Sequence, residues 1–322
     1  MTLVSTPDNP PPPNGVEEAI RAVDGVRLRT VRWEATSGPR GTVAVLGGRA
    51  EFIEKYFEVA SALLARGFAV ALMDWRGQGG SQRLLRNPKK GHVDDFSDYE
   101  RDLDALVGSI LAPHCPRPWW ALCHSMGGAA LLLGAEAGLC PFDRLVLTSP
   151  MIAVKGLDHR GPKRFLAEGL EAVGLGGSYA PGGGSEAVWL GPFAGNGLTT
   201  DRVRFARVAR VLAAAPEIRL GGPTIGWVSA AFRAMRRLEE PNFASVITTP
   251  TLIVASGVDR VVDVAAAERF AARMRAGRIV VVDGAEHEIL IERDVFRDQF
   301  WAAFDAFIPG SEASSPALAA AI

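Results

Sequence analysis

The sequence predicts an α/β fold, with a mostly parallel sheet, helices on both faces and a helical insertion over one end. Three observations carry this. Short apolar runs recur along the chain and are continuous rather than alternating, as in strands buried on both faces. Helix-period segments separate them, which is the order that builds a parallel sheet. From about residue 152 to 242 the rhythm stops and no convincing buried strand occurs.

The elements follow in chain order. Pro10 to Pro13 suit neither a helix nor a central strand, so residues 1–15 read as a flexible N-terminal arm. Val26–Ala35 alternates apolar and charged residues and predicts an antiparallel strand. Thr42–Leu46 is a short buried strand followed by Gly47-Gly48, and Glu54–Arg66 is helical. Phe68–Asp74 is a buried strand, and Ser97–Leu111 has helical spacing. Trp119–Cys123 and Arg144–Thr148 are strands around a helix over Met126–Glu136. Thr251–Ala255 and Arg278–Val282 are further strands, each followed by helical sequence. Helical runs at Asp201–Ala214 and Thr224–Arg237 and a Gly-rich stretch from Gly174 to Gly184 fill the interruption. Such an insertion sits above the carboxyl ends of the strands, where open α/β sheets bind ligands. The expected division is core over 16–151 and 243–308, cap over 152–242, and a frayed tail over 309–322.

The 322 residues include 48% hydrophobic ones, enough for one large α/β domain with an insertion. Lys and Arg number 35 against 36 Asp and Glu, so nothing suggests nucleic acid or a general attraction to anionic membranes. Cys115, Cys123 and Cys140 show neither a disulfide framework nor zinc-ligand spacing. The first fourteen residues lack the basic and apolar regions of a signal peptide. No run is long and apolar enough to span a bilayer. The expectation is a reduced, cytoplasmic protein with no metal and no cofactor.

The richest stretch is Trp119-Trp120-Ala121-Leu122-Cys123-His124-Ser125-Met126-Gly127-Gly128. An apolar strand enters a serine, and a helix rich in Gly, Ala and Leu leaves it. A serine on such a strand-to-helix turn takes a strained backbone, so its neighbours two positions away must be small. Gly127 meets that demand, and Cys123 stands where glycine is usual.

A serine hydroxyl needs a base, and the base needs an acid to hold its tautomer. On an elbow of this kind both follow the serine in the chain. Asp259 comes just past the strand Thr251–Ala255 and is the expected acid. Its competitor Asp263 precedes a helical run and reads as an N-cap. His287 follows the strand Arg278–Val282 and is the expected base. His92 and His114 precede the serine, His124 adjoins it and points elsewhere, and His159 lies in the insertion. Oxyanion donors are expected from the amide of Met126 and from the loop at Gly47, with Arg49 favoured and Gly48 as the alternative.

Together these parts resemble the α/β-hydrolase branch that holds the monoacylglycerol lipases and the bacterial L2-type lysophospholipases. The matching elements are Asp74-x-Arg76-Gly77-x-Gly79-x-Ser81, Gly91–Phe96, His124–Gly128, Ser256–Val262 and Gly284–Leu290. The resemblance implies the triad Ser125, Asp259 and His287, with oxyanion amides from Arg49 and Met126. It departs at Gly47-Gly48, where His-Gly is usual, and at Cys123.

The expected activity is carboxylic ester hydrolysis of a lysophospholipid or monoacylglycerol through an acyl-enzyme. A small-ester esterase, lactonase or peptidase with the same triad is the alternative. A non-catalytic binding protein on this fold is the rival from another class. Ser125 at the elbow disfavours epoxide and haloalkane hydrolysis, which need aspartate there. Cap residues such as Trp189, Phe193 and Trp227 either line an acyl pocket or fasten the cap to the core. Residues 174–184 are expected to be a hinge for a mobile lid that touches lipid aggregates. The resemblance adds peripheral contact with the inner membrane.

Overall fold

The computed structural model describes residues 2–35, 40–138 and 140–310. Eight strands form one sheet: β1 Val16–Arg21, β2 Arg27–Trp33, β3 Thr42–Leu46, β4 Ala69–Met73, β5 Trp119–His124, β6 Arg144–Thr148, β7 Thr251–Ser256 and β8 Gly277–Val282. Their order is β1-β2-β4-β3-β5-β6-β7-β8. β2 is antiparallel to β1 and β4, and every later pairing is parallel. Parallel strands need crossovers, and the intervening helices supply them.

The pleat sorts alternate side chains of each strand into two cores. Ala44, Leu46, Ala121, Cys123, Leu145 and Leu147 face one side. There they meet α2 (Ser97–Leu106), α3 (Met126–Glu136) and α7 (Val264–Arg273). Val43, Val45, Val70, Leu72, Leu122 and Val254 face the other, against α1 (Phe57–Ala65) and α8 (Asp294–Phe307).

Between β6 and β7 lie α4 (Pro162–Leu170), α5 (Arg202–Ala214) and α6 (Ile225–Leu238). Side-chain caps start two of them. Asp201 accepts from the Val203 and Arg204 amides, and Thr224 from the Trp227 amide. α6 buries Trp227, Ala230, Ala231, Ala234 and Leu238 in the same core as α3. α5 is fastened separately: Phe205, Val208, Val211 and Leu212 close over Trp189, Phe52 and Ile291.

One expectation needs correction. Residues 2–15 are docked rather than loose. Val4 N donates to Glu54 Oε1 at 3.0 Å, Asn9 Nδ2 to Glu54 O at 2.9 Å, and Trp33 Nε1 to Pro12 O at 2.9 Å. The backbone polar groups of a proline-rich segment need partners, and side chains of the core supply them. The sequence also hid β1, which exposes all but Ile20 and so shows no apolar pattern. The tail expected over 309–322 lies outside the described residues from 311 onward.

Candidate active site

Ladder register brings the strand ends together. Leu46 of β3 pairs with Cys123 of β5, and His124 with Thr148 of β6. Ser125 therefore emerges beside Gly47, and the loops after β7 and β8 deliver Asp259 and His287 to the same rim. Ser125 has φ 49° and ψ −115°, a conformation that few L-residues adopt. Its amide donates to Thr148 O at 3.0 Å, and its carbonyl accepts from Met151 N at 3.0 Å. Those bonds hold the turn against its strain. The packing explains Gly127: a Cβ there would stand 2.5 Å from Gly47 O and 2.7 Å from Leu46 O. Cys123, where glycine is usual, points into the apolar core and is fully buried, so the turn accepts it.

The three expected residues meet. His287 Nε2 lies 3.1 Å from Ser125 Oγ, and His287 Nδ1 lies 2.7 Å from Asp259 Oδ2. With Nδ1–H donating to the carboxylate, Nε2 accepts the serine proton. Asp259 Oδ1 accepts from the amides of Val261 and Val262 at 2.7 and 2.9 Å. Burial pushes the Asp259 carboxyl up. The bond and charge of His287 and the two amides outweigh it, so its pKa lies below the ordinary value. Asp263 is elsewhere, its side chain capping α7 at the Ala265 amide.

The amides of the loop after β3 differ in what they meet. The Gly48 amide, the alternative donor expected from sequence, is taken by the Glu51 carboxylate. Gly48 serves instead by lacking a side chain, since a Cβ would stand 3.1 Å from Ser125 Cβ. Among the described residues, the Arg49 and Met126 amides meet no acceptor. Two free N–H groups beside the serine suit a developing oxyanion.

Sequence reasoning missed the ionic network beneath this loop. Lys55 Nζ bridges Glu51 at 2.6 Å and Glu288 at 2.5 Å. His124 Nε2 lies 3.3 Å from Glu288 and 3.6 Å from Glu51, and Tyr56 donates to Glu51. Burial pushes the His124 pKa down, but the two carboxylates outweigh that and raise it. Glu51, His124 and Glu288 are close enough to hold a metal ion, yet the Lys55 ammonium already sits between the carboxylates. No signal in the sequence links Lys55 to a partner 233 positions away.

The expected substrate contacts are mostly spent on packing. Trp189 is 2% exposed and sits 5.2 Å from the Phe205 ring, with Phe193 on the same ring at 5.4 Å. Trp227 is buried, and its Nε1 donates to Tyr99 Oη. An apolar recess of about 370 Å³ lies within the cap, lined by Leu166, Leu170, Ile225, Val228 and Phe232 among others. The Gly174–Gly184 stretch is stapled to the start of α6. Ile225 N donates to Ser178 O, Gly226 N to Gly176 O, Ala180 N to Pro223 O and Gly222 N to Gly184 O.

Residues 37–294 match the family described as serine aminopeptidase, S33. The chain is 38% identical over 295 residues to lysophospholipase L2 of Escherichia coli K12, covering 87% of this chain and 84% of that one. It is 28% identical over 279 residues to monoacylglycerol lipase of Mycolicibacterium smegmatis, covering 86% and 91%. Among solved structures, a carboxyl esterase from Bacillus coagulans superposes with TM-score 0.74 at 18% identity, over 92% of this chain and 98% of that one. The eight-stranded sheet and these likenesses identify an α/β-hydrolase, and the chain is a hydrolase belonging to the serine aminopeptidase, S33, family.

Proposed function

We propose that the protein hydrolyses the carboxylic ester of a lysophospholipid or monoacylglycerol through an acyl-enzyme on Ser125. The observation that carries this is the continuous chain Ser125 Oγ, His287, Asp259, with contacts of 3.1 and 2.7 Å. Ser125 Oγ attacks the ester carbonyl as its proton passes to His287 Nε2. Asp259 stabilises the imidazolium, and the Arg49 and Met126 amides hold the oxyanion. The intermediate collapses: the carbon–oxygen bond breaks, and the imidazolium proton goes to the leaving alcohol. Water then attacks the acyl-enzyme, gives a proton to His287, and restores Ser125 as the acid departs.

Curated relatives named as a lysophospholipase and monoacylglycerol lipases support a lipid ester as substrate. The cap over 152–242 shapes the acyl site in this reading, and its apolar recess falls within the usual size of ligand pockets. Exposed Phe165, Leu166, Val173 and Leu175 on the cap support transient contact with a lipid surface. A cytoplasmic enzyme peripheral to the inner membrane accords with this, and no described helix is long and apolar enough to cross a membrane. The family description also names aminopeptidases.

The test is a panel of p-nitrophenyl esters of rising chain length, monoacylglycerols, lysophospholipids and aminoacyl-amides. The proposal expects kcat/KM to rise with acyl length and to be high on one of the two lipid classes. Preference for acetate esters or aminoacyl-amides overturns it.

A further inference from the structure

Two buried arginines of this protein, Arg29 and Arg76, meet carboxylates. Arg29 pairs with Glu54 and Asp74, and Arg76 with Asp102 and Asp24. Arg49 is different. Its Nη2 donates to the carbonyl of Gly221 at 2.5 Å, and its guanidinium lies 5.5 Å from the centre of the Trp227 ring. Its Nε is buried without an acceptor. Among the described residues no carboxylate comes within ion-pairing distance of it. An uncompensated guanidinium taken from water is costly, and burial pulls the Arg49 pKa down to about 10.

The surroundings share this sign. Arg83 is also unmatched by a carboxylate and donates to the carbonyls of Gly77 and Glu217, and burial lowers its pKa to about 10. Arg219, two positions before Gly221, donates to the carbonyls of Leu212 and Ala213. Lys89 accepts the Gly221 amide on its backbone and leaves its exposed ammonium beside the same loop. Glu217, the one acid between Pro216 and Pro223, offers its carbonyl rather than its side chain. Among the described residues, neither Arg49 nor Arg83 has a carboxylate within ion-pairing distance.

We propose that the Arg49 guanidinium recognises the phosphate of a substrate whose scissile ester lies one glycerol away from it, so that lysophospholipids are preferred over neutral monoacylglycerols. The proposal rests on the ester-hydrolase reading above. In that reading the Arg49 amide is an oxyanion donor, so its side chain starts close to the reacting carbonyl. A lysophospholipid carries its phosphate a glycerol's length from that carbonyl, a span like that of an arginine side chain. A guanidinium matches phosphate with paired, charge-assisted hydrogen bonds, and the free Nε is one of its donors. The phosphate supplies the charge that no protein group provides.

The experiment compares kcat/KM for an octanoyl lysophospholipid and for octanoyl glycerol, both below their aggregation limits, in wild type, Arg49→Met and Arg49→Lys. The readout is the ratio between the two substrates, so general damage to the oxyanion loop cancels. The ratio is expected to fall about ten- to a hundredfold in Arg49→Met, the range for a hydrogen bond to a charged group. Arg49→Lys should restore part of it. Wild type itself should hydrolyse the octanoyl lysophospholipid more efficiently than octanoyl glycerol, which needs no variant to fold. A ratio unchanged within about twofold by Arg49→Met, or a wild type that prefers octanoyl glycerol, overturns the proposal while leaving ester hydrolysis intact. Inorganic phosphate that competes as strongly as the lysophospholipid would assign the site to the free anion and overturn it too. If wild type hydrolyses neither lipid, the functional reading fails and the proposal with it.

Discussion

At the residue scale, two aspartates four positions apart do different work. Asp259 fixes the tautomer of His287, whereas Asp263 caps a helix. Asp259→Asn should lower kcat by roughly 10⁴, as loss of the acid does in a related triad. Asp263→Asn should leave kcat intact and cost well under about 1 kcal/mol, because asparagine still caps. Steady-state kinetics and melting curves on both variants check this, and loss of turnover in Asp263→Asn would reverse the roles. His124 adds a pH signature. Its raised pKa means that its stabilisation is fully present below about pH 6.5 and is lost as pH climbs through the folded-state value. Wild-type melting temperature should therefore fall as pH rises out of that window, and much less so in His124→Gln. The triad was legible because a serine elbow demands an acid and a base at later strand ends. Glu51, Lys55 and Glu288 were not, because they are brought together from segments far apart in the chain.

At the element scale, the elbow and the oxyanion loop are one packed unit. Gly127→Ala would drive a methyl into the carbonyls of Leu46 and Gly47. It should destabilise by about 1–3 kcal/mol and lower kcat more than it raises KM, since the loop carries the proposed oxyanion donor. Unchanged stability and kcat would mean that the two segments are not in register. A second unit clamps the cap: Glu58 of α1 accepts from Arg204 and Arg207 of α5 and from Arg297 of α8. Burial pushes the Glu58 carboxyl up, but the arginines outweigh it and bring its pKa to about 2. This stabilisation is present above the ordinary value near 4.5 and disappears as pH falls toward 2. It is on the order of 1 kcal/mol after allowance for solvent. Melting curves of Glu58→Gln and wild type should differ at neutral pH and converge in acid. A gap that persists at low pH would contradict the clamp.

At the scale of the whole molecule, the core strands and their order along the chain were readable because each is a continuous apolar run. The edge strand β1 and the docked arm were not, because their contacts are made by backbone and polar groups. The Gly174–Gly184 stretch reads as a hinge from its composition, yet its backbone bonds tie it to α6. Hydrogen exchange should accordingly be slow at Ala180, Gly222, Ile225 and Gly226, and fast exchange there without lipid would restore the hinge. What joins sheet, elbow and cap is a single claim, that Ser125 is the nucleophile of an ester hydrolase. The most direct measurement is kcat of Ser125→Ala, with fluorophosphonate labelling followed by intact mass and the fold checked by circular dichroism. A folded variant that takes no label and loses kcat by about 10⁶ is the predicted result. A folded variant that still labels, or keeps more than a few per cent of wild-type kcat, would contradict the account.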